Sequence, residues 1–152
     1  MSMIRKILCA TDLSPASESA VLAAFDFGRK LDAIVYVLHV VEPPYRAVPW
    51  FVPAPVDQEF LQTLGERQEM AAVAEIGRSI AGLRLEAGRV EPMVRTGVPV
   101  ETILAAAQEV GADLVVVGTH GRTGLRHLAL GSVAEQVVRG CPVPVLTVRK
   151  KP

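Results

Sequence analysis

Apolar runs alternate with helical patterns along this chain of 152 residues. The apolar runs are short and rich in Val, Ile and Leu, as buried strands are. They occupy residues 4–10, 33–41, 86–95, 113–118 and 143–149. The segments between them carry apolar residues every three or four positions, the spacing of an amphipathic helix. These helical segments occupy residues 15–30, 57–81, 97–110 and 132–139.

Strands that alternate with helices form a parallel sheet, because each helix carries the chain back across one face. The run at residues 33–41 is almost continuously apolar, which suits a strand covered on both faces. We therefore predict an α/β fold with a single domain over residues 1–152. Its core is a doubly wound, five-stranded parallel sheet with helices on both faces, a Rossmann-like arrangement that binds ligands beyond the carboxyl ends of its strands.

Residues 42–56 interrupt the alternation with five prolines and three aromatic residues. Proline at this density prevents both helix and sheet, so we predict a Pro-rich surface loop. Its aromatic side chains have two interpretations of equal weight. They cover a ligand or contact a partner, or they pack down as a local cap.

Composition argues against two classes of partner, nucleic acids and membranes. Lys and Arg together number 16, as do Asp and Glu, so the formal net charge is zero. A chain without a basic excess is not expected to bind nucleic acid, and no apolar run approaches the roughly 20 residues of a membrane span.

The chain enters its first strand without the apolar stretch of a secretory leader, so we expect a cytoplasmic protein. Its two cysteines form no metal or disulfide pattern, and Cys9 is expected to be buried.

A glycine signature follows the run at residues 113–118. Gly118 and Gly121 are followed, after nine residues, by Gly131 and Ser132, in the spacing G-x-x-G-x9-G-S between a strand and a helix. Glycine lets main-chain N–H groups approach an anion, and a helix N-terminus adds unpaired donors. Such residues can also merely turn the chain, but three glycines and a serine at fixed offsets favour a polyphosphate-binding loop.

Other candidate residues stand at the same edge of the predicted sheet. Thr11, Asp12 and Val40 fall at the carboxyl ends of strands, as Gly118 does, so all of them can converge on one crevice. The glycine loop is not a P-loop, because no G-K-[ST] follows it, and its spacing is not the G-x-G-x-x-G of dinucleotide-binding folds.

At these residues the sequence resembles the ATP-binding branch of the universal stress protein family. The match rests on Ile-Leu-Cys-Ala-Thr-Asp at residues 7–12 with Ser14, on Val-Leu-His-Val at residues 37–40, and on the glycine signature. It covers essentially the whole chain. The resemblance implies an adenine nucleotide alpha hydrolase-like fold and ATP, with Mg²⁺, as the ligand, and it identifies no metal ligand.

The resemblance also implies which residues surround the nucleotide. Asp12 and the main chain of Thr11 would meet the adenosine, and main-chain groups of Val40 would meet the adenine ring. Gly118 and Gly121 would line the ribose and phosphates. The phosphate oxygens would be held by Gly131, Ser132 and Val133.

Four further residues have competing interpretations. Ser132 is favoured as a phosphate ligand, although an ordinary helix N-cap would use the same residue and both roles are compatible. Arg122 directly follows a signature glycine and is favoured as a phosphate neighbour. His120 lies between two signature glycines and is expected to flank the site, whereas His39 is expected to be a packed core histidine.

These features predict an ATP-binding, nucleotide-dependent stress-response and signalling module. No general base and no nucleophile–base pair stand out, so we assign no catalytic residue. One alternative is a slow ATPase or autophosphorylating protein that uses Ser132, Thr123 or Thr119. Another is an interaction module that binds a different small molecule. The last strand, residues 143–149, is apolar on both sides, which favours pairing with another copy. The resemblance to universal stress proteins implies a symmetric homodimer paired along this strand.

Overall fold

The computed structural model describes residues 3–43, 57–82, 89–120 and 130–150. Within these ranges the strands are β1 (Lys6–Ala10), β2 (Ile34–Val41), β3 (Val90–Thr96), β4 (Leu114–Gly118) and β5 (Val145–Val148). The helices are α1 (Pro15–Leu31), α2 (Gln58–Gly82), α3 (Pro99–Val110) and α4 (Ser132–Gly140). The predicted alternation is confirmed. Most of the predicted Pro-rich loop, residues 44–56, lies outside the described residues.

The sheet has the strand order β3-β2-β1-β4-β5, and every neighbouring pair is parallel. The chain therefore builds outward from β1 to β3 and then returns to the other side of β1 to add β4 and β5. The order reverses between β1 and β4, as the prediction of a doubly wound sheet requires. Ligands of such sheets bind beyond the carboxyl ends of the strands at this reversal.

Each face of the sheet carries its own apolar cluster, because successive side chains of a strand point to opposite faces. Ile7 and Cys9 of β1 belong to the cluster that packs against α1. Leu8, between them, belongs to the cluster that includes α3 and α4. All three side chains have no exposed surface. This double coverage explains why the strands are almost entirely apolar in sequence.

Helix α1 begins at the end of β1 with a complete N-terminal cap. The Ser14 hydroxyl accepts a hydrogen bond from Ser17 N–H at 3.3 Å, and Pro15 takes the first helical position. Pro is well suited there, because its missing N–H would have no partner within the helix. The cap fixes where the chain leaves β1, and the candidate site is built on this turn.

No helix in the ranges given above is long and apolar enough to cross a bilayer.

The two cysteines are predicted to differ in reactivity. Burial raises the pKa of the Cys9 thiol to about 12, so very little of the reactive thiolate exists at neutral pH. Cys141 is only half-buried. We expect a thiol-specific disulfide reagent to label Cys141 in the native protein and Cys9 only after unfolding. Rapid labelling of a Cys141→Ser variant under native conditions would contradict this assignment.

Candidate functional site

The turn that follows β1 holds a carboxylate in a fixed place. Oδ1 of Asp12 accepts hydrogen bonds from Ser14 N–H at 3.0 Å and from the Ser14 hydroxyl at 2.5 Å. Leu13, between them, has a φ of 63°, a left-handed conformation that costs energy for a residue with a Cβ. Strain of this kind persists only where neighbouring bonds enforce it. The hydrogen bonds within this turn therefore hold its shape.

A directed chain of hydrogen bonds enforces that shape. The Ser17 hydroxyl donates to the carbonyl of Ser14 at 2.9 Å, which uses its single hydrogen. The Thr11 hydroxyl, 2.8 Å from that of Ser17, must therefore be the donor of their shared bond. Thr11 Oγ1 in turn accepts from Leu13 N–H at 3.1 Å. Thr11 and Ser17 are 8% and 4% exposed, so these bonds provide the partners that their buried hydroxyl groups need in place of water.

The main chain of Val40 points toward the same place. In a parallel ladder the N–H and C=O groups of alternate residues face the same neighbouring strand. Leu38 C=O accepts from Thr11 N–H at 2.8 Å on the β1 side, whereas Val41 C=O accepts from Gly97 N–H at 3.0 Å on the β3 side. Val40 therefore faces the β1 side. Since β1 ends at Ala10, the main-chain groups of Val40 extend beyond the end of that strand.

His39 does not have the role that the sequence suggests. It was expected to be a packed core histidine because it lies within the second strand. The structure places it half-buried at the mouth of the crevice, with Nδ1 2.9 Å from the carbonyl oxygen of Thr11. The pattern of alternation misses this because it reports the face of the sheet and not the distance from the strand end.

The two ends of the glycine signature come together at the base of the loop. Gly118 ends β4, and Gly131 N–H donates to the carbonyl of Thr119 at 2.6 Å. A Cβ built on Gly131 would lie 3.0 Å from that carbonyl oxygen. Glycine is therefore favoured at this position by the close approach, and not by its φ of −67°, which any residue adopts. Gly121 and Arg122 lie outside the described residues.

Helix α4 begins at the crevice. Gly131 is its N-cap and Ser132 its first residue, so the interpretation of Ser132 as the N-cap is wrong. The first main-chain bond of the helix runs from Glu135 N–H to the carbonyl of Gly131 at 2.9 Å. The N–H groups of the three preceding residues have no acceptor within the helix. Together with the positive end of the helix dipole, they suit an anion.

Thr119 and His120 form a hydroxyl–imidazole pair between β4 and α4. The Thr119 hydroxyl oxygen lies 2.9 Å from Nδ1 of His120. Thr119 is almost completely buried, at 3% exposed, and both residues line the crevice. This pair was not predicted, because adjacent residues on a strand point to opposite faces and their side chains meet only where the strand has ended.

These elements enclose one crevice at the carboxyl edge of the sheet. Its volume is about 390 Å³, within the range of roughly 300–1,000 Å³ that is typical of small-molecule sites. The expected site residues that it brings together are Thr11, Asp12, Val40, Gly118, His120, Gly131, Ser132 and Val133. The lining residues that sequence reasoning missed include Ser17, His39, Glu42, Pro99 and Ile103.

Two further observations bear on what the crevice can hold. Within the described ranges, no group of three or more His, Cys, Asp or Glu side chains is arranged to bind a metal ion. A second groove, of about 350 Å³, lies on the other side of the turn after β1, between α1 and the end of α2. Thr11 lines both cavities, so the turn is the wall that separates them.

Comparison with known proteins assigns the chain to a family. The model of the universal stress protein family matches residues 3–149. The chain belongs to this family. It is 32% identical to the universal stress protein MJ0531 of Methanocaldococcus jannaschii, over 98% of this chain and 84% of that protein.

Solved structures agree with this assignment. The structure of the hypothetical protein MJ0577, also from Methanocaldococcus jannaschii, superposes with a TM-score of 0.82 at 29% identity and covers 99% of both chains. A universal stress protein solved in complex with cAMP superposes with a TM-score of 0.68 at 24% identity, over 99% of this chain and 100% of that one. The latter likeness establishes the shared fold.

Proposed function

We propose that this universal stress protein binds ATP in the crevice and acts as a nucleotide-dependent stress-response and signalling module. The observation that carries the proposal is the convergence of three different kinds of group on one cavity. These are the main chain of Val40, the carboxylate of Asp12 and the N-terminus of α4. Each suits a different part of an adenine nucleotide.

The main chain of Val40 suits the adenine base. An N–H and a C=O that extend beyond a strand end offer one donor and one acceptor side by side. The edge of adenine offers the complementary pair, the ring nitrogen N1 as acceptor and the amino group as donor. Guanine carries these groups in the reverse sense, with N1–H as donor and O6 as acceptor. The geometry therefore supports adenine as the preferred base.

Asp12 and α4 suit the ribose and the phosphates. A carboxylate at a strand end accepts hydrogen bonds from ribose hydroxyls, and the bonds from Ser14 hold this one in place. The N–H groups at the start of α4, which have no acceptor within the helix, and the exposed hydroxyl of Ser132 suit phosphate oxygens. The expectation that Gly121 and Arg122 contact the phosphates stays a prediction.

Mg²⁺ would accompany ATP without a dedicated protein cage. This ion keeps several of its waters and is usually held by substrate phosphates together with one or two carboxylates. The residues that line the crevice fit this pattern, since Asp12 and Glu42 are both among them. We assign no metal ligand.

The site supports binding of ATP better than its hydrolysis. Enzymes that break the terminal phosphate bond neutralise the developing charge with lysine or arginine. Among the described residues that line the crevice there is no lysine and no arginine. A universal stress protein with the same fold has been solved in complex with cAMP, which is an adenine nucleotide. We place this module in the cytoplasm and expect neither nucleic acid nor membrane among its partners.

Asp12→Asn tests the proposal, because asparagine keeps Oδ1 as an acceptor for Ser14 while it removes the charge. We expect calorimetry to show ATP binding to the wild-type chain and binding about tenfold weaker in the variant, at unchanged thermal stability of the ligand-free protein. ATP at about 100 times its Kd should stabilise the wild-type fold by about 2.7 kcal/mol. A wild-type chain that shows no heat of binding and no thermal shift with ATP would overturn the proposal.

The pair of Thr119 and His120 favours a second candidate, slow transfer of phosphate to the protein. The Thr119 hydroxyl would attack the terminal phosphorus, Nδ1 of His120 would take its proton, and ADP would leave. This step requires the His120 tautomer that carries its hydrogen on Nε2. It also requires the buried hydroxyl to reach the phosphate. Ser132 is the exposed alternative acceptor, and Thr123 lies outside the described residues.

Radiolabel from the γ-phosphate distinguishes these possibilities. If Thr119 is the acceptor, label should remain on the denatured chain, persist in Ser132→Ala and disappear in Thr119→Val, which keeps the shape of threonine and removes its hydroxyl. Loss of label in Ser132→Ala alone would move the acceptor to that residue. Absence of label and of released phosphate in the wild type would leave binding as the sole activity of the site.

We also propose a symmetric homodimer that forms along residues 143–149. Strand β5 is the last strand in the sheet order, and Leu146 and Val148 are only half-buried there. Val148 C=O accepts from Thr119 N–H at 2.9 Å and so faces the inner side of the sheet. Successive residues of a strand face opposite sides, so Thr147 directs its N–H to the outer edge, where a second copy can pair.

Thr147→Pro should therefore abolish the dimer. It removes the outward N–H and leaves the inward bonds of β5 intact. The matched control, Thr147→Val, keeps the N–H and the shape of the side chain. Light scattering at micromolar concentration should give twice the chain mass of 16.3 kDa for wild type and Thr147→Val, and a single chain mass for Thr147→Pro. A wild-type monomer would contradict the proposal.

A further inference from the structure

The imidazole of His39 joins the ends of two strands. Its Nδ1 lies 2.9 Å from the carbonyl oxygen of Thr11. A carbonyl oxygen only accepts hydrogen bonds, so Nδ1 carries the hydrogen. In the neutral ring this fixes the tautomer, and Nε2 is left as an acceptor. The bond connects the carboxyl end of β2 to the first residue beyond β1.

In a regular ladder the Thr11 carbonyl would have a different donor. Ala10 is paired with Leu38, and Thr11 N–H donates to the carbonyl of Leu38 at 2.8 Å. The next bond of a parallel ladder would run from Val40 N–H to the carbonyl of Thr11. The side chain of His39 takes the place of that main-chain donor. The imidazole therefore stands where the ladder would otherwise continue.

Burial makes this substitution consequential. Thr11 is 8% exposed, and a buried carbonyl without a donor costs free energy. Its hydroxyl and its N–H are already bonded within the turn and to Leu38. Without the imidazole, the donor best placed by the ladder geometry is Val40 N–H. The side chain at position 39 thus decides whether that N–H serves the sheet or the crevice.

We propose that His39 is a positioning residue that ends the β1–β2 ladder and keeps the Val40 N–H available to the ligand. This inference rests on the proposed nucleotide site and adds to it the group that makes the main chain of Val40 usable. The ligand it selects is a nucleobase with an acceptor nitrogen on the edge that faces β2. The phosphate-binding end of the crevice, at α4, does not depend on His39.

Two substitutions place the same amide donor at different distances from the main chain. They therefore test whether a donor at the position of Nδ1 is what the site requires. In His39→Asn the side-chain amide places its NH₂ at the same number of bonds from Cβ as Nδ1, so the bond to the Thr11 carbonyl can be kept. In His39→Gln the NH₂ lies one bond further out, at the level of Nε2. Gln is therefore the disrupting variant and Asn the matched rescue.

Calorimetry with ATP and with inorganic triphosphate tests the effect on the ligand. We expect His39→Gln to weaken ATP binding about tenfold and His39→Asn to stay within about threefold of wild type. The affinity for inorganic triphosphate should be equal in all three proteins, because that probe lacks a base. A His39→Gln protein that binds ATP as wild type does, or that loses both probes equally, would overturn the inference, as would failure of Asn to rescue.

The ligand-free protein gives a second readout. At about pH 8, above the range in which imidazole ordinarily takes up a proton, nitrogen NMR should show the hydrogen of His39 on Nδ1. Hydrogen exchange of the Val40 amide should slow several-fold in His39→Gln, because that N–H then bonds to Thr11. A hydrogen on Nε2, or unchanged exchange at Val40, would overturn the inference. If these results hold but the wild type binds no ATP, the proposed function fails and the ladder-ending role of His39 stands.

Discussion

The end of strand β1 at Ala10 is the constraint on which the candidate site depends. Thr11, the next residue, directs its N–H to Leu38, its carbonyl to His39 and its hydroxyl into the turn that begins α1. Because β1 stops there while β2 continues, the sheet has a step at its carboxyl edge. That step becomes a crevice because β4, on the other side of β1, leads through the glycine signature into α4.

The same constraint accounts for the chemistry of the crevice. Main-chain groups beyond a strand end and at a helix start are donors and acceptors whose positions the fold itself determines. A site made largely of such groups can hold a ligand through main-chain hydrogen bonds, to which the carboxylate of Asp12 adds a charged acceptor. Its energetic effect is linkage, since a ligand that binds only the folded state stabilises that state.

Much of this could be predicted because it depends on local spacing. The alternation of apolar runs and helical patterns is a local signal, and it located all the strands and helices of the described ranges. The positions of Asp12, Val40 and Gly118 at strand ends followed from it. The buried face of α2 did not follow. Its apolar members Phe60 and Val73 are 62% and 54% exposed, because they do not share one stripe of the helix.

The details that escaped prediction are those set by contacts across the fold. The role of His39 depends on where β1 ends relative to β2. The pattern of apolar residues in a single strand does not reveal how that strand is aligned with its neighbour. Gly131 displaces Ser132 as the N-cap of α4 because the chain must pass close to the carbonyl of Thr119. The pair of Thr119 and His120 exists because β4 has ended and its alternation no longer separates neighbours.

Hydrogen–deuterium exchange of the full chain, with and without saturating ATP, tests most directly whether the crevice at the carboxyl edge is the nucleotide site. The account predicts slower exchange at residues 11–14, 38–42 and 131–134, which line three sides of the crevice, and unchanged exchange at the N-terminal ends of the strands. Exchange that ATP leaves unchanged at these segments would contradict it. So would protection confined to the groove between α1 and α2.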